Sequence, residues 1–184
     1  ELEDVFKDVD RNADVKAYLD EKIAGDRARR SLIKLALLLH DIGKPETRRK
    51  EKDRYSFHGH EHAGKNIVHH VARMLKLGKQ ERFLLEDLVR HHLRPGYLSN
   101  FKKPSVKAVY RFFRDAKEEA AGVLILSLAD QRATRGPLST KEEEKHHEAV
   151  CRRLLKEFFD KKNETPVVRL ITGRDLIKRL KLKP

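Results

Sequence analysis

The chain has 184 residues, 42 Lys and Arg against 29 Asp and Glu, and a formal net charge of +13 with histidines neutral. Such a length defaults to one compact domain, and such a charge excludes an acidic or charge-balanced surface. Hydrophobic and charged residues each make up 39%, yet the apolar ones cluster in runs such as 35–39 and 122–129, which argues for a folded core rather than disorder. The single cysteine, Cys151, excludes an internal disulfide and fits a reducing, cytoplasmic compartment. No run approaches the roughly 18 apolar residues of a membrane span and no signal-like segment opens the chain, so no membrane partner is expected. The chain opens on Glu1 and closes on Lys183-Pro184, which reads as a fragment of a longer polypeptide.

In chain order, almost every periodic segment is helical in spacing and length, so the expected class is all-α. Ser31 is placed to cap a helix running to about residue 42, whose Leu32, Ile33, Leu35, Ala36, Leu37, Leu38 and Leu39 surround the axis and make it central and buried. Gly43 and Pro45 end it. A second helix, about 59–77, sets Ala63, Ile67, Val71 and Met74 at steps of three and four. A third, about 80–93, ends before Pro95-Gly96, and Pro104-Ser105 opens a fourth. The fifth, about 118–135, carries Val123, Leu124, Ile125, Leu126 and Leu128 and reads as buried on all sides, with a break at Gly136-Pro137. Thr140 with Glu143 fits a capping box for a long charged helix to about 160, and Thr172 with Asp175 fits another for a short terminal one, with 166–171 extended between them. This divides the chain into a helical domain at 1–138 and a helical tail at 139–184.

The polar residues that break this pattern are His40-Asp41, at the end of the most apolar helix, and Asp130, inside another. A carboxylate among apolar residues is costly unless a cation or hydrogen bonds compensate it. Three histidines, His58, His60 and His62, and a pair, His91 and His92, complete the set. Residues 58 and 62 share a helix face and 60 points elsewhere, so not all can be ligands, and periodicity does not choose among them. Imidazoles with carboxylates suit a divalent metal such as Mn, Ni, Mg, Fe or Zn. His69, His70, His146 and His147 read as solvated helix positions. Cys151 reads as a structural thiol, and no phosphate-binding glycine loop or paired-Cys zinc motif is present.

The charge is unevenly spread, with an acidic excess in 1–15 and basic excesses in 101–117 and 161–184. Lys102, Lys103, Lys107, Arg111 and Arg114 are interleaved with Phe101, Tyr110, Phe112 and Phe113, the mixture of cations and stackable rings found on RNA-binding surfaces. Lys178, Arg179 and Lys181 add a second basic cluster near the end.

His40-Asp41-Ile42-Gly43-Lys44-Pro45 resembles the signature of the HD superfamily of metal-dependent phosphohydrolases. Phe57-x-x-His60-Glu61-x-x-Gly64, His92-Leu93-Arg94-Pro95 and the 128–136 stretch around Asp130 resemble its further motifs. With the tail 170–177, the pattern is similar to the C-terminal half of bacterial CCA-adding tRNA nucleotidyltransferases and poly(A)-polymerase-like proteins. The resemblance implies an HD-domain-like helical bundle with a basic tail. It implies His40, Asp41 and Asp130 as metal ligands, His60 and His92 as further ligands or substrate contacts, and Lys44 and Arg94 as cations for a phosphate. The implied activity is hydrolysis of RNA-terminal or 2′,3′-cyclic phosphoesters. A tRNA-like RNA is the implied partner, and the nucleotidyltransferase half would lie outside this chain. Two departures stand against the pattern. Residues 1–39 contain no histidine, where the superfamily pattern begins with one, so either the fragment starts after it or the site binds metal weakly as a scaffold. Asp8-x-Asp10 has no preceding Gly-Ser and reads as a solvated acidic stretch, so nucleotide addition is not expected of this chain. The alternatives are a non-catalytic RNA-binding module and an HD hydrolase of free nucleotides.

Overall fold

The computed structural model describes residues 11–52, 54–134, 140–163, 177 and 179. The all-α reading holds: among the described residues there are nine α-helices, a short 3-10 turn at Lys117–Glu119 and two two-stranded hairpins. The helices are α1 (Asn12–Asp20), α2 (Arg29–Leu39), α3 (Lys44–Thr47), α4 (His60–Met74), α5 (Lys79–His91), α6 (Arg94–Ser99), α7 (Val106–Ala116), α8 (Ala120–Ala133) and α9 (Lys141–Asn163). Strands β1 (Lys22–Ala24) and β2 (Arg27–Ala28) pair antiparallel, as do β3 (Arg49–Glu51) and β4 (Arg54–Ser56). Neither hairpin nor α1 was expected. The hairpin strands are two or three residues long and mostly charged, so no pattern marks them, whereas α1 carried a signal in Val15, Tyr18 and Leu19 at steps of three and one.

The core is organised around α8, in which every residue from Ala120 to Leu128 is buried. An α-helix apolar on all faces must be wrapped by others, and α2, α5, α6, α7 and α9 pack against it. Leu32 and Ile33 of α2, Leu85 and Leu88 of α5, Phe112 of α7 and Leu154 and Leu155 of α9 are fully enclosed. Each such side chain contributes roughly 1.5–3 kcal/mol relative to an exposed one. The boundary expected at 138 falls between α8 and α9, and the two helices pack along one another, with Val150, Cys151 and Phe159 of α9 in the same core.

Helix α2 differs from its sequence reading at both ends. Ser31 does not cap it; the helix begins at Arg29, directly from the β1–β2 hairpin. Arg29 is buried, donates to Glu119 at 2.6 Å and Glu21 at 3.0 Å, and lies over the Tyr18 ring at 4.3 Å. That pairing fixes the first turn. At the far end the helix stops at Leu39, and Pro45 does not terminate it but lies in the first turn of α3, where its missing N–H costs nothing. Nor is α2 buried all round, since Leu38 is 79% exposed. Met74, expected on the inner face of α4, is likewise exposed.

Two expected caps are formed. Ser105 accepts from the Ala108 N–H, and Thr140 and Glu143 bond reciprocally through side chain and backbone. The expected features at 136–137, 166–171 and Thr172–Asp175 lie outside the described residues, as do Asp8 and Asp10. Among the described residues, no helix is long and apolar enough to cross a membrane.

Truncating Leu124 to Ala should cost about 2–5 kcal/mol, whereas Leu38→Ala should stay within about 0.5 kcal/mol of the parent. Urea unfolding measures both. A large loss at Leu38 would contradict its exposed position.

Candidate metal centre

Three elements end at one place. The turn after α2 carries His40 and Asp41, the first residue of α4 is His60, and His92 follows the last residue of α5. Gly43 makes this convergence possible. A Cβ there would lie 2.5 Å from the Gly64 backbone nitrogen and would also collide with the His60 carbonyl oxygen. With only a hydrogen at that position, the turn lies directly against the start of α4 and brings Asp41 to His60.

Each of the three imidazoles is oriented in the same way. Nδ1 of His40 lies 2.8 Å from the Leu37 carbonyl, that of His60 2.8 Å from the Phe57 carbonyl, and that of His92 2.7 Å from the Val89 carbonyl. A carbonyl can only accept, so Nδ1 carries the proton in each ring and Nε2 faces the site, as in metal-ligating histidines held by backbone. Nε2 of His60 lies 3.2 Å from Nε2 of His92 and 3.2 Å from Asp41 Oδ1. Nε2 of His92 is 3.8 Å from the same oxygen. His60 and His92 are buried, at 7% and 5% exposure, so these facing nitrogen and oxygen atoms are reconciled either by a proton shared among them or by a metal cation. Asp41, His60 and His92 offer ligand atoms that all lie within 4.8 Å of one another, and imidazole with carboxylate is a donor set for Mn, Fe, Ni, Zn or Mg.

His40 flanks this group. Its Nε2 is 3.3 Å from Asp41 Oδ2 and 3.5 Å from Asp130 Oδ1. The hydrogen bonds to Asp130 and then Asp41 outweigh partial burial and push the His40 imidazolium up to about 10. Burial works against ionisation of Asp41, but hydrogen bonds from His40 and Lys44 overcome it and hold its carboxyl well below the usual range. Burial, with the neighbouring His40 charge, pulls His92 down, which keeps its lone pair available as a ligand.

The structure brings His40, Asp41, His60, His92 and Asp130 together, and Lys44 is with them, its Nζ 2.5 Å from Asp41 Oδ2. Asp130 is not the enclosed carboxylate the sequence suggested; its side chain is 33% exposed. Arg94 instead pairs with Asp115 of α7 at 2.8 Å. His58 and His62 are solvent-facing, the latter bonded to Glu61. His91 is turned away from the cluster's bonding pattern, and burial together with Arg94 and Arg90 lowers it to about 4. His147, read as a solvated residue, is buried: Nδ1 lies 2.9 Å from Ser99 Oγ and Nε2 3.1 Å from Ser127 Oγ. This ties α6 and α8 to α9. Its apolar neighbours Val150 and Cys151 were the available signal. Cys151 is buried, and burial raises its thiol well above the ordinary value, consistent with a structural role.

On α7, Val109, Phe112 and Ala116 are buried while Lys107, Tyr110, Arg111 and Arg114 are exposed, with exposed Phe101, Lys102 and Lys103 just ahead of the helix. Arg114 is paired with Asp115 at 2.7 Å; among the described residues no acid pairs with Lys102, Lys103, Lys107 or Arg111. Arg179 is helical and exposed, and Lys178 and Lys181 lie outside the described residues.

A helical bundle that gathers histidines and aspartates from a helix end, a following helix and a distant one is an architecture that could hold a metal ion. The HD domain family model matches residues 13–135, and the chain belongs to that family. It is 30% identical over 156 residues to an A-adding tRNA nucleotidyltransferase of Deinococcus radiodurans, covering 83% of this chain and 34% of that protein. It is 34% identical over 105 residues to a CC-adding tRNA nucleotidyltransferase of Thermus thermophilus, covering 56% of this chain and 23% of that protein. The chain therefore spans about a third or less of the length of these relatives. The matched stretch contains no histidine before His40. Helix α1, which lies there, gives Val15, Tyr18 and Leu19 to the core instead.

The His40 value sets a pH expectation. Because its folded value is raised from 6.5 to about 10, the stabilisation from Asp130 and Asp41 is complete below about 6.5 and is lost as pH rises through about 10. In metal-free protein, the His40 ring resonance should titrate far above the ordinary range, and Asp130→Asn should lower its midpoint. An unshifted midpoint near 6.5 would contradict the geometry.

Proposed function

We propose that this HD domain is a metal-dependent phosphohydrolase acting on RNA-terminal or 2′,3′-cyclic phosphoesters, within a tRNA-processing protein. The observation that carries the reading is the apposition of the His60 and His92 Nε2 atoms with Asp41, a set of ligand atoms placed to share one metal ion. Asp41, His60 and His92 would hold the ion, with His40 and Asp130 beside it. A divalent ion there supplies Lewis acidity toward a phosphoryl oxygen.

The chain's own residues do the rest. The three backbone carbonyls keep the imidazoles aimed inward. Lys44, already ion-paired to Asp41, presents a cation to the phosphoryl group when that pair opens. Arg94, two residues beyond His92, is the second such cation once substrate competes with Asp115. His40, bridging Asp41 and Asp130, holds a proton at Nε2 within reach of a leaving oxygen. RNA is supported as the substrate class by the exposed Lys102, Lys103, Lys107, Arg111 and Arg114 with Tyr110, by the basic tail with Lys178, Arg179 and Lys181, and by relatives named for adding nucleotides to tRNA. The partner in this reading is a nucleotidyltransferase domain of the same polypeptide, and residues 139–184 extend the RNA contact.

The test is the metal content of purified chain together with hydrolysis of 2′,3′-cyclic AMP in Mn, Ni or Mg. Bound metal is expected, and Asp41→Ala should lower turnover by at least on the order of 100-fold while leaving RNA affinity intact. No metal and no turnover would overturn the hydrolase reading in favour of a non-catalytic RNA-binding module. The α7 face is tested separately. Four unpaired cations predict a log–log salt slope of about −3 for single-stranded RNA, reduced to about −1 to −2 by the double variant Lys107→Glu/Arg111→Glu. An RNA affinity insensitive to salt would remove this face from the reading.

A further inference from the structure

A cavity of about 840 Å³ opens directly beside the metal cluster, and His92 and Asp130 form part of its wall. From there it extends along α6, where Tyr97, Asn100 and Lys102 line it, and across to the start of α9, where Glu142, Glu143 and Glu144 line it. Its volume is that of a site for a nucleotide-sized molecule. Tyr97 is 59% exposed, and among the described residues its side chain makes no hydrogen bond or ring contact. An uncovered aromatic ring in the mouth of a polar cavity is a stacking surface without its partner.

The charge of the lining is the more informative feature. In a chain of net charge +13, this cavity has one lysine, Lys102, against Asp130, Glu142, Glu143 and Glu144. The surrounding cations, Lys103, those along α7 and Lys141 and Lys145 at either side of the glutamates on α9, lie outside its lining. A polyphosphate entering the cavity would meet like charge from the α9 side at short range. A single phosphate carries less charge past that wall and is repelled less. Carboxylates on that wall also match the exocyclic amines of a base, which are hydrogen-bond donors.

We propose that this cavity binds a nucleotide end carrying one phosphate group, with the base against Tyr97 and the rest of the strand leaving past Lys102, and that the Glu142–Glu144 wall excludes nucleoside polyphosphates. The inference deepens the phosphohydrolase reading and rests on it only for the fate of the phosphate. It separates RNA ends and nucleoside monophosphates, which fit, from nucleoside triphosphates, which do not. Bulk electrostatics of so basic a protein would favour the triphosphate, so the expected order is the reverse of the generic one.

The probes are AMP and ATP titrated, with no added metal, into isotope-labelled full chain, with the amide signals of Gly96, Asn100 and Gln131 as the readout. AMP should move these signals and bind there more tightly than ATP. Tyr97→Ala should weaken AMP roughly fivefold or more, the lower bound for loss of a stacked base, and Tyr97→Phe should restore it. Glu142→Lys, at an exposed helix position, should narrow the gap between ATP and AMP. Unmoved signals, or AMP binding indifferent to Tyr97→Ala, would overturn the site. ATP binding as tightly as AMP would overturn the charge selection. Tyr97-dependent AMP binding without any cyclic AMP hydrolysis would defeat the hydrolase reading and leave the subsite standing. Hydrolysis with a KM unchanged in Tyr97→Ala would do the opposite.

Discussion

The meeting of the His60 and His92 Nε2 atoms over Asp41 is the constraint around which the rest of the fold is arranged. The two ring nitrogens, 3.2 Å apart, are held there because each ring is anchored through Nδ1 to the backbone carbonyl three residues earlier, that of Val89 on a core helix and that of Phe57 just ahead of α4. Gly43 is the hinge of that arrangement. Its lack of a side chain lets the turn after α2 lie against the beginning of α4, and any larger residue would push Asp41 away from His60.

The energy that supports this convergence comes from elsewhere. Helix α8 is apolar on every face from Ala120 to Leu128, and its burial draws α2, α5 and α9 together around it. Only past Leu128 does α8 emerge, and there it presents Asp130 to His40. The site thus lies where a buried helix reaches the surface, which gives its residues partial burial and access to ligand at once. The second polar network, His147 with Ser99 and Ser127, locks α6 and α9 against α8. It therefore also fixes the floor of the cavity between the metal cluster and the α9 glutamates.

Local sequence chemistry was sufficient for some of these features and silent on others. The all-apolar run of α8, the Ser105 cap and the Thr140–Glu143 box were legible because each depends on residues within one or two helical turns. His40-Asp41 stood out for the same reason, as polar residues at the end of an apolar helix. The choice of His60 over His58 and His62, and of His92 over His91, was not legible from periodicity. All five sit near helix ends, and what selects two of them is which ring can reach a carbonyl on its own element while facing another element.

Composition and short-range spacing were enough for the helical class, the basic character and the apolar helix at the centre, and the HD-like motifs were legible as a resemblance beside them. Long-range packing decided that Arg29 starts α2, that Leu38 faces solvent, that the Asp130 side chain is a third exposed and that His147 is buried. Each of these depends on a partner at least eight residues away or on the absence of one. The sequence showed which groups could bind a metal. Only the packing of four helices decided which of them share one point in space, because that depends on distances no linear pattern encodes.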